Sequence, residues 1–381
     1  MKYQSAALAL LAVCGAFAFG PSSQAAQTIP SPPLIKFKAE LPLKIPGDIH
    51  FGETPAVAVN SKGHVFVVTR GDITGPAFAP NMTRMYEFDQ NGKYLREIGK
   101  HLYGFVYPHQ VRIDKDDNMW VVDKGSNMIF TFNPQGRVID VFGRLVEATE
   151  WRSLEPTNVA ESEKALPAYP GIFNQQTDVA WDSKGNFYVS DGYINARVVK
   201  ISKEGNWIKT WGERGTGPSQ FLEPHQLVID GKDRVYVGDR GNARIQVFDT
   251  EGKFLHQFTV MGQVPPGPGG EMPAEYRPEI PHAYPDRWPW GASSGIVGKT
   301  GAPMALCITP PGPNQVLYIA DSNPSRIYRV SLEGKVLGML GDGGTKLGEF
   351  DTTHQLTCPD DKTIWAADMF NWRVQKITME N

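Results

Sequence analysis

Three histidines, His109, His225 and His354, open near-copies of one short stretch: PHQVRID, PHQLVID and THQLTC. They lie more than a hundred residues apart, so linear spacing alone would hide them. A neutral imidazole is a good ligand for Zn²⁺, and three of them with a fourth position open make a catalytic zinc arrangement; a structural site would close with a fourth side chain. A lone histidine, by contrast, is usually a satisfied residue that only hydrogen-bonds. Three of the eight histidines at one repeated register argue for the metal. His50, His64, His101, His256 and His282 share no such register and take no assignment.

What must position these side chains is a repeat. The stretch Glu223–Phe248, EPHQLVIDGKDRVYVGDRGNARIQVF, holds two runs with strand character, Gln226–Ile229 and Arg234–Gly238, joined by an Asp-Gly-Lys-Asp turn. A polar Asp-Arg-Gly-Asn-Ala-Arg corner follows, then a third run, Ile245–Phe248. Apolar and β-branched residues between Gly, Asp and Asn punctuation are the strand and hairpin signal. Copies begin at Thr54, Pro108, Gln176, Glu223, Pro303 and Thr353, with two insertions, Arg144–Asn174 and Val260–Ala302, outside the pattern. Up to four short strands per copy, at a repeat of roughly 40–50 residues, predict an all-β, six-bladed β-propeller. A single four-stranded blade cannot bury both faces, so the blades must stack radially. The sixth copy lacks an obvious fourth strand; the segment around Leu34–Leu43 is expected to supply it and close the ring, which removes exposed edges. The first strand of each blade lines the channel, and alternate blades lie about 120° apart by symmetry. His109, His225 and His354, in blades two, four and six, then converge on the axis, while blades one, three and five carry Pro55, Thr177 and Met304 at that register.

The composition is that of an ordinary globular chain. Net charge is −3 over 381 residues, which gives no electrostatic reason for nucleic acid or an anionic membrane as partner. Lys2, the apolar run Ala6–Phe19 and the small residues around Ala25 read as a secretory signal peptide over 1–25. A leader with the closing strand is expected over 26–50 and the propeller over 51–381, in a secreted or periplasmic monomer. Of the cysteines beyond the signal peptide, Cys307 and Cys358, two buried free thiols is the plainer reading, and export would permit a disulfide.

The loop after the second strand returns to the histidine face. There the copies VFVVTRG and VYVGDRG put Arg70 and Arg240 at one register, and YVSDGYINAR puts Tyr193 one residue further on. Two guanidiniums near a metal suit a small-molecule or peptide substrate bearing a carboxylate, which Arg matches bidentately. A tyrosine beside a cation can serve as base or ligand. Surface pairing of each Arg with a nearby Asp, and simple packing of the Tyr, are the plainer alternatives. Lys124 lies at a related position as a rim charge. The corner aspartates Asp123, Asp191, Asp239, Asp321 and Asp368 read as turn locks, and their Asp-x-x-Asn-x-Arg setting resembles NHL-type repeats.

Taken together, VFVVTRGD, YPHQVRIDKDDNMWVVD, QTDVAWDSKGNFYVSDGYINARVVK, SQFLEPHQLVID, VGDRGNARIQVF and THQLT resemble the lyase domain of the peptidylglycine α-amidating enzymes, peptidyl-α-hydroxyglycine α-amidating lyase, over about residues 50–380. The resemblance implies zinc on His109, His225 and His354, Tyr193 as the catalytic tyrosine, and Arg70 and Arg240 around the substrate. It implies cleavage of the N–Cα bond of a C-terminal α-hydroxyglycine to an amide and glyoxylate. It also implies a structural calcium on the carbonyls of Val57 and Val111 and an aspartate, at whose position this chain has Gln355. Ile194 stands where the animal enzymes have a disulfide cysteine, and Thr353 where the family has Pro. Two other functions fit a propeller: a secreted module that binds a peptide or sugar without catalysis, and a metallohydrolase of the lactonase type, whose carboxylate and Asn ligands differ from three histidines.

Overall fold

The runs Val65–Thr69, Val235–Asp239 and Leu317–Asp321 are rich in β-branched and aromatic residues and buried along their whole length. A strand covered on both faces needs this near-continuous apolar pattern. Side chains alternate between faces, so Val235 and Val237 pack toward blade three while Tyr236 packs toward blade five. Repeated around the chain, this pattern gives six apolar clusters, one between each pair of consecutive blades.

The computed structural model describes residues 31–71, 83–144, 171–260, 263, 301–322 and 324–380. The expected signal peptide and nearly all of both insertions lie outside the described residues. The rest forms six four-stranded antiparallel sheets and two short two-stranded parallel ones. The inner strands are Ala56–Val59, Pro108–Ile113, Asp178–Trp181, Pro224–Ile229, Pro303–Ile308 and Thr353–Thr357. Each touches the next, and the sixth touches the first, so the ring is closed.

An N-terminal strand makes the closure. Phe37–Glu40 pairs antiparallel with Arg373–Met379 as the outer strand of blade six, Phe37 opposite Met379 and Glu40 opposite Lys376. The same segment bridges to blade five at Leu34 and Met339 and to blade one at Lys44 and Lys93. A covalent tie adds to it. Cys307 and Cys358 are disulfide-bonded, with Cα atoms 5.8 Å apart, and so link blades five and six. This corrects the free-thiol reading: neighbouring inner strands bring the two residues within bonding reach.

The corner aspartates set the start of the inner strand in blades two to six. The Asp239 carboxylate accepts hydrogen bonds from the Leu222 amide at 3.0 Å, from Asn242 at 2.7 Å and from Arg244 Nε at 2.9 Å. Asp123 accepts from the amides of Val106 (2.9 Å) and Tyr107 (3.0 Å), and Asp368 from that of Asp351 (2.7 Å). In each case the amides that are held lie two or three residues before a histidine of the trio.

Candidate metal centre

His109, His225 and His354 each stand at a β-bulge. The strand register slips between Pro108 and Gln110, between Pro224 and Gln226, and between Thr353 and Gln355. A bulge frees one residue from the ladder and re-aims its side chain, here into the channel. The three rings meet nearly edge to face, with centroids 4.5, 4.7 and 5.2 Å apart. All three are buried, and one ligand atom from each lies within 4.8 Å of the others. The predicted convergence of the trio is therefore what the fold produces.

The blades between them fix the tautomer. His109 Nδ1 lies 2.7 Å from the Thr177 carbonyl, His225 Nδ1 2.7 Å from that of Met304, and His354 Nδ1 3.0 Å from that of Pro55. A carbonyl can only accept, so each Nδ1 carries the proton and each Nε2 keeps its lone pair. Thr177, Met304 and Pro55 are the residues at the same register in the following blades. The ring thus alternates a ligand with a backbone buttress, the kind of outer support metal-bound histidines require. Burial, aided by the neighbouring imidazoles and by Arg70, Arg240 and Lys124, holds all three imidazoles well below their usual range, in the neutral form a metal needs. Three buried, neutral nitrogens facing one point fit a tetrahedral zinc with one position open.

Calcium does not fit the layer beneath. Gln355 donates to the Val111 carbonyl at 2.6 Å, and Thr357 Oγ1 donates to the Val57 carbonyl at 2.7 Å. Both expected carbonyls already accept protein hydrogen bonds, and an amide brings no negative charge. With Gln226 donating to the His354 carbonyl at 2.5 Å, glutamine amides occupy the carbonyls of this layer.

On the open side, Tyr193 Oη lies 3.3 Å from both His109 Nε2 and His225 Nε2. It sits at φ +43°, a left-handed conformation that costs energy for a tyrosine. Its neighbour Gly192 has no room for a side chain, because a Cβ there would strike the Pro224 carbonyl. Arg70 and Arg240 flank the trio, both buried. Each has a glutamate of its own. Arg70 meets Glu53 Oε2 at 3.2 Å and Arg240 pairs with Glu223, while each arginine amide also donates to the carbonyl of the same glutamate. Methionine sulfurs back them, Met369 for Arg70 and Met304 for Arg240. These ion pairs are thus with glutamates that precede the inner strands rather than with corner aspartates.

Glu53 and Glu223 are the functional residues the sequence reading missed. Their signal was present: each stands two positions before the histidine register, in the two copies that carry an arginine after the second strand. Lys124 shares that arginine register and points at Tyr193, its Nζ 3.8 Å from the ring centre. The carboxylate ligands of a lactonase-type site are absent from the metal-competent group found among the described residues, which is all histidine.

An NHL repeat model matches residues 221–248, so fold and sequence agree on a six-bladed propeller of the NHL-repeat type. Rat peptidylglycine alpha-amidating monooxygenase is 31% identical over 225 residues, covering 53% of this chain and 21% of that protein. Mouse NHL repeat-containing protein 3 is 30% identical over 210 residues, 52% of this chain and 53% of that one. Peptidyl-alpha-hydroxyglycine alpha-amidating lyase 1 of Drosophila melanogaster is 27% identical over 271 residues, 62% and 46%. The chain is thus similar both to proteins named as peptidyl-α-hydroxyglycine α-amidating lyases or amidating monooxygenases and to an NHL repeat-containing protein, and it spans between a fifth and about half the length of these relatives. A gluconolactonase from Xanthomonas campestris has the same fold, at TM-score 0.54 and 11% identity over 92% of this chain and 95% of that one.

Proposed function

We propose that this chain is a zinc-dependent lyase that cleaves the N–Cα bond of a C-terminal α-hydroxyglycine, or a similar carbinolamide, to an amide and glyoxylate. The observation that carries the reading is the Tyr193 hydroxyl, 3.3 Å from two of three buried histidine nitrogens that face one point. His109, His225 and His354 would hold the metal, which when bound supplies a Lewis acid for the substrate's hydroxyl and carboxylate oxygens.

The chain's own residues do the rest. Tyr193, as the phenolate, takes the proton of the carbinol hydroxyl. The O–H electron pair becomes the new C=O bond, the N–Cα bond breaks, and the amide nitrogen leaves with the electron pair of the N–Cα bond. The same proton returns from Tyr193 to the nitrogen, so the step needs no oxidant and no water. Arg70 and Arg240, fixed by Glu53 and Glu223, keep N–H donors beside the oxygens where negative charge develops. The N-terminal sequence supports export to a periplasm or the medium, and we extend the proposal to a monomer acting there on a small or peptide substrate.

The test is glyoxylate release from α-hydroxyhippurate by the metal-loaded protein. Glyoxylate and benzamide formed one to one are expected. Metal-loaded protein that releases neither would overturn the reading.

A further inference from the structure

Three cations ring the mouth at one register, the residue after the second strand: Arg70 in blade one, Lys124 in blade two and Arg240 in blade four. Two of them arrive already neutralised. Glu53 lies at 3.2 Å from Arg70 and Glu223 pairs with Arg240, with all four residues buried. Buried pairs of this kind hold geometry but leave little net charge for a ligand.

Lys124 is different. Among the described residues no carboxylate pairs with its Nζ, which lies instead over two aromatic faces, 3.8 Å from the Tyr193 ring centre and 5.1 Å from that of Tyr107. Tyr193 thus has two cations close to its ring, Lys124 at 3.8 Å and Arg240 at 5.6 Å from the ring centre. Burial, with Arg70 and Arg240 close by, pushes the ammonium down to about 7 despite Glu223 and Glu53. A half-buried cation without a counter-ion is costly, and a bound anion removes that cost.

We propose that Lys124 is the residue that binds the substrate's carboxylate, and that it restricts the site to substrates whose hydroxyl-bearing carbon carries a free carboxylate. The inference rests on the lyase reading for the identity of the substrate, and on geometry alone for the anion. It replaces the expectation that Arg70 or Arg240 would do this, because their charges are spent on glutamates. An ammonium with three rotatable donors suits the task, since it can meet a carboxylate without bidentate alignment.

The experiment is calorimetric titration of the metal-loaded protein with glycolate and with its neutral analogue glycolamide, in the wild type, Lys124→Met and Lys124→Arg. The expected result is glycolate affinity at least about tenfold weaker in Lys124→Met, partly restored in Lys124→Arg, with glycolamide affinity and metal content unchanged throughout. Lys124→Gln carries the same test if the methionine variant loses its metal. Glycolate affinity within about twofold of wild type in a metal-replete variant overturns the proposal, as does wild-type protein that does not bind glycolate. Lys124-dependent glycolate binding without glyoxylate release would retire the lyase reading and leave the anion site standing. Glyoxylate release with Lys124-independent glycolate binding would do the reverse.

Discussion

Tyr193 owes its position to one extra residue. The corner Asp239-Arg-Gly-Asn-Ala-Arg244 has six residues, whereas Asp191-Gly-Tyr-Ile-Asn-Ala-Arg197 has seven, and the insertion carries the tyrosine over the histidines. If its hydroxyl moves the proton, Tyr193→Phe lowers kcat by about 10²–10⁴-fold with metal content unchanged; a fall of less than threefold in steady-state assays would remove it from the mechanism. The histidines make a second claim testable. Their folded-state titration lies below the ordinary 6.5, chiefly through burial. Below that pH the unfolded chain takes up protons that the folded protein refuses, so acid favours unfolding. Metal-free protein should therefore lose stability as the pH falls from about 6.5 toward 5. In thermal melts across this range His225→Asn should flatten the decline, and an unchanged slope would contradict neutral, buried imidazoles. At this scale the convergence of the three histidines was legible because repeats align them, and the same alignment placed Tyr193 and the two arginines beside them. The buttressing carbonyls were not, because which backbone oxygen meets which ring depends on ring closure. Glu53 and Glu223 were written in the register and overlooked.

At the scale of the element, the polar corner is what couples fold to site. Arg244 donates to Asp239 and to the carbonyls of Thr216, Gly217 and Gln220, and Asp239 holds the Leu222 amide three residues before His225. Arg244→Met leaves a buried carboxylate unpaired and should cost about 3–5 kcal/mol in urea denaturation. A loss below about 1 kcal/mol would show that the corner is not structural. The strands and corners could be read from β-branched runs and Asp/Asn/Gly punctuation. The bulges under the histidines could not, since a bulge has the same local sequence as a regular strand start. The same limit explains calcium: the sequence showed Gln355 in place of an acid, but only the structure shows its amide donating to the Val111 carbonyl.

For the whole molecule, the ring stays closed through Phe37–Glu40 on the outer edge of blade six and through the Cys307–Cys358 bond between blades five and six. The bond joins residues separated by 51 positions, for which chain entropy gives at most about 4 kcal/mol of stabilisation. A Cys307→Ala, Cys358→Ala double variant should melt several degrees lower and keep its metal. An unchanged melting temperature would mean that the bond contributes nothing to closure. Ring closure by an N-terminal strand was foreseeable because the sixth copy shows three strand runs and no obvious fourth. The cysteine pairing was not, because distance between neighbouring inner strands is a property of the assembled ring.

The central claim is that alternate blades of this ring build one metal site from three distant histidines. Elemental analysis of the purified, dialysed protein beside a His225→Ala variant tests it most directly. Near-stoichiometric zinc in the wild type, lost in the variant, is the predicted result. Wild-type protein that holds no metal, and takes up none on dialysis against zinc, would contradict it.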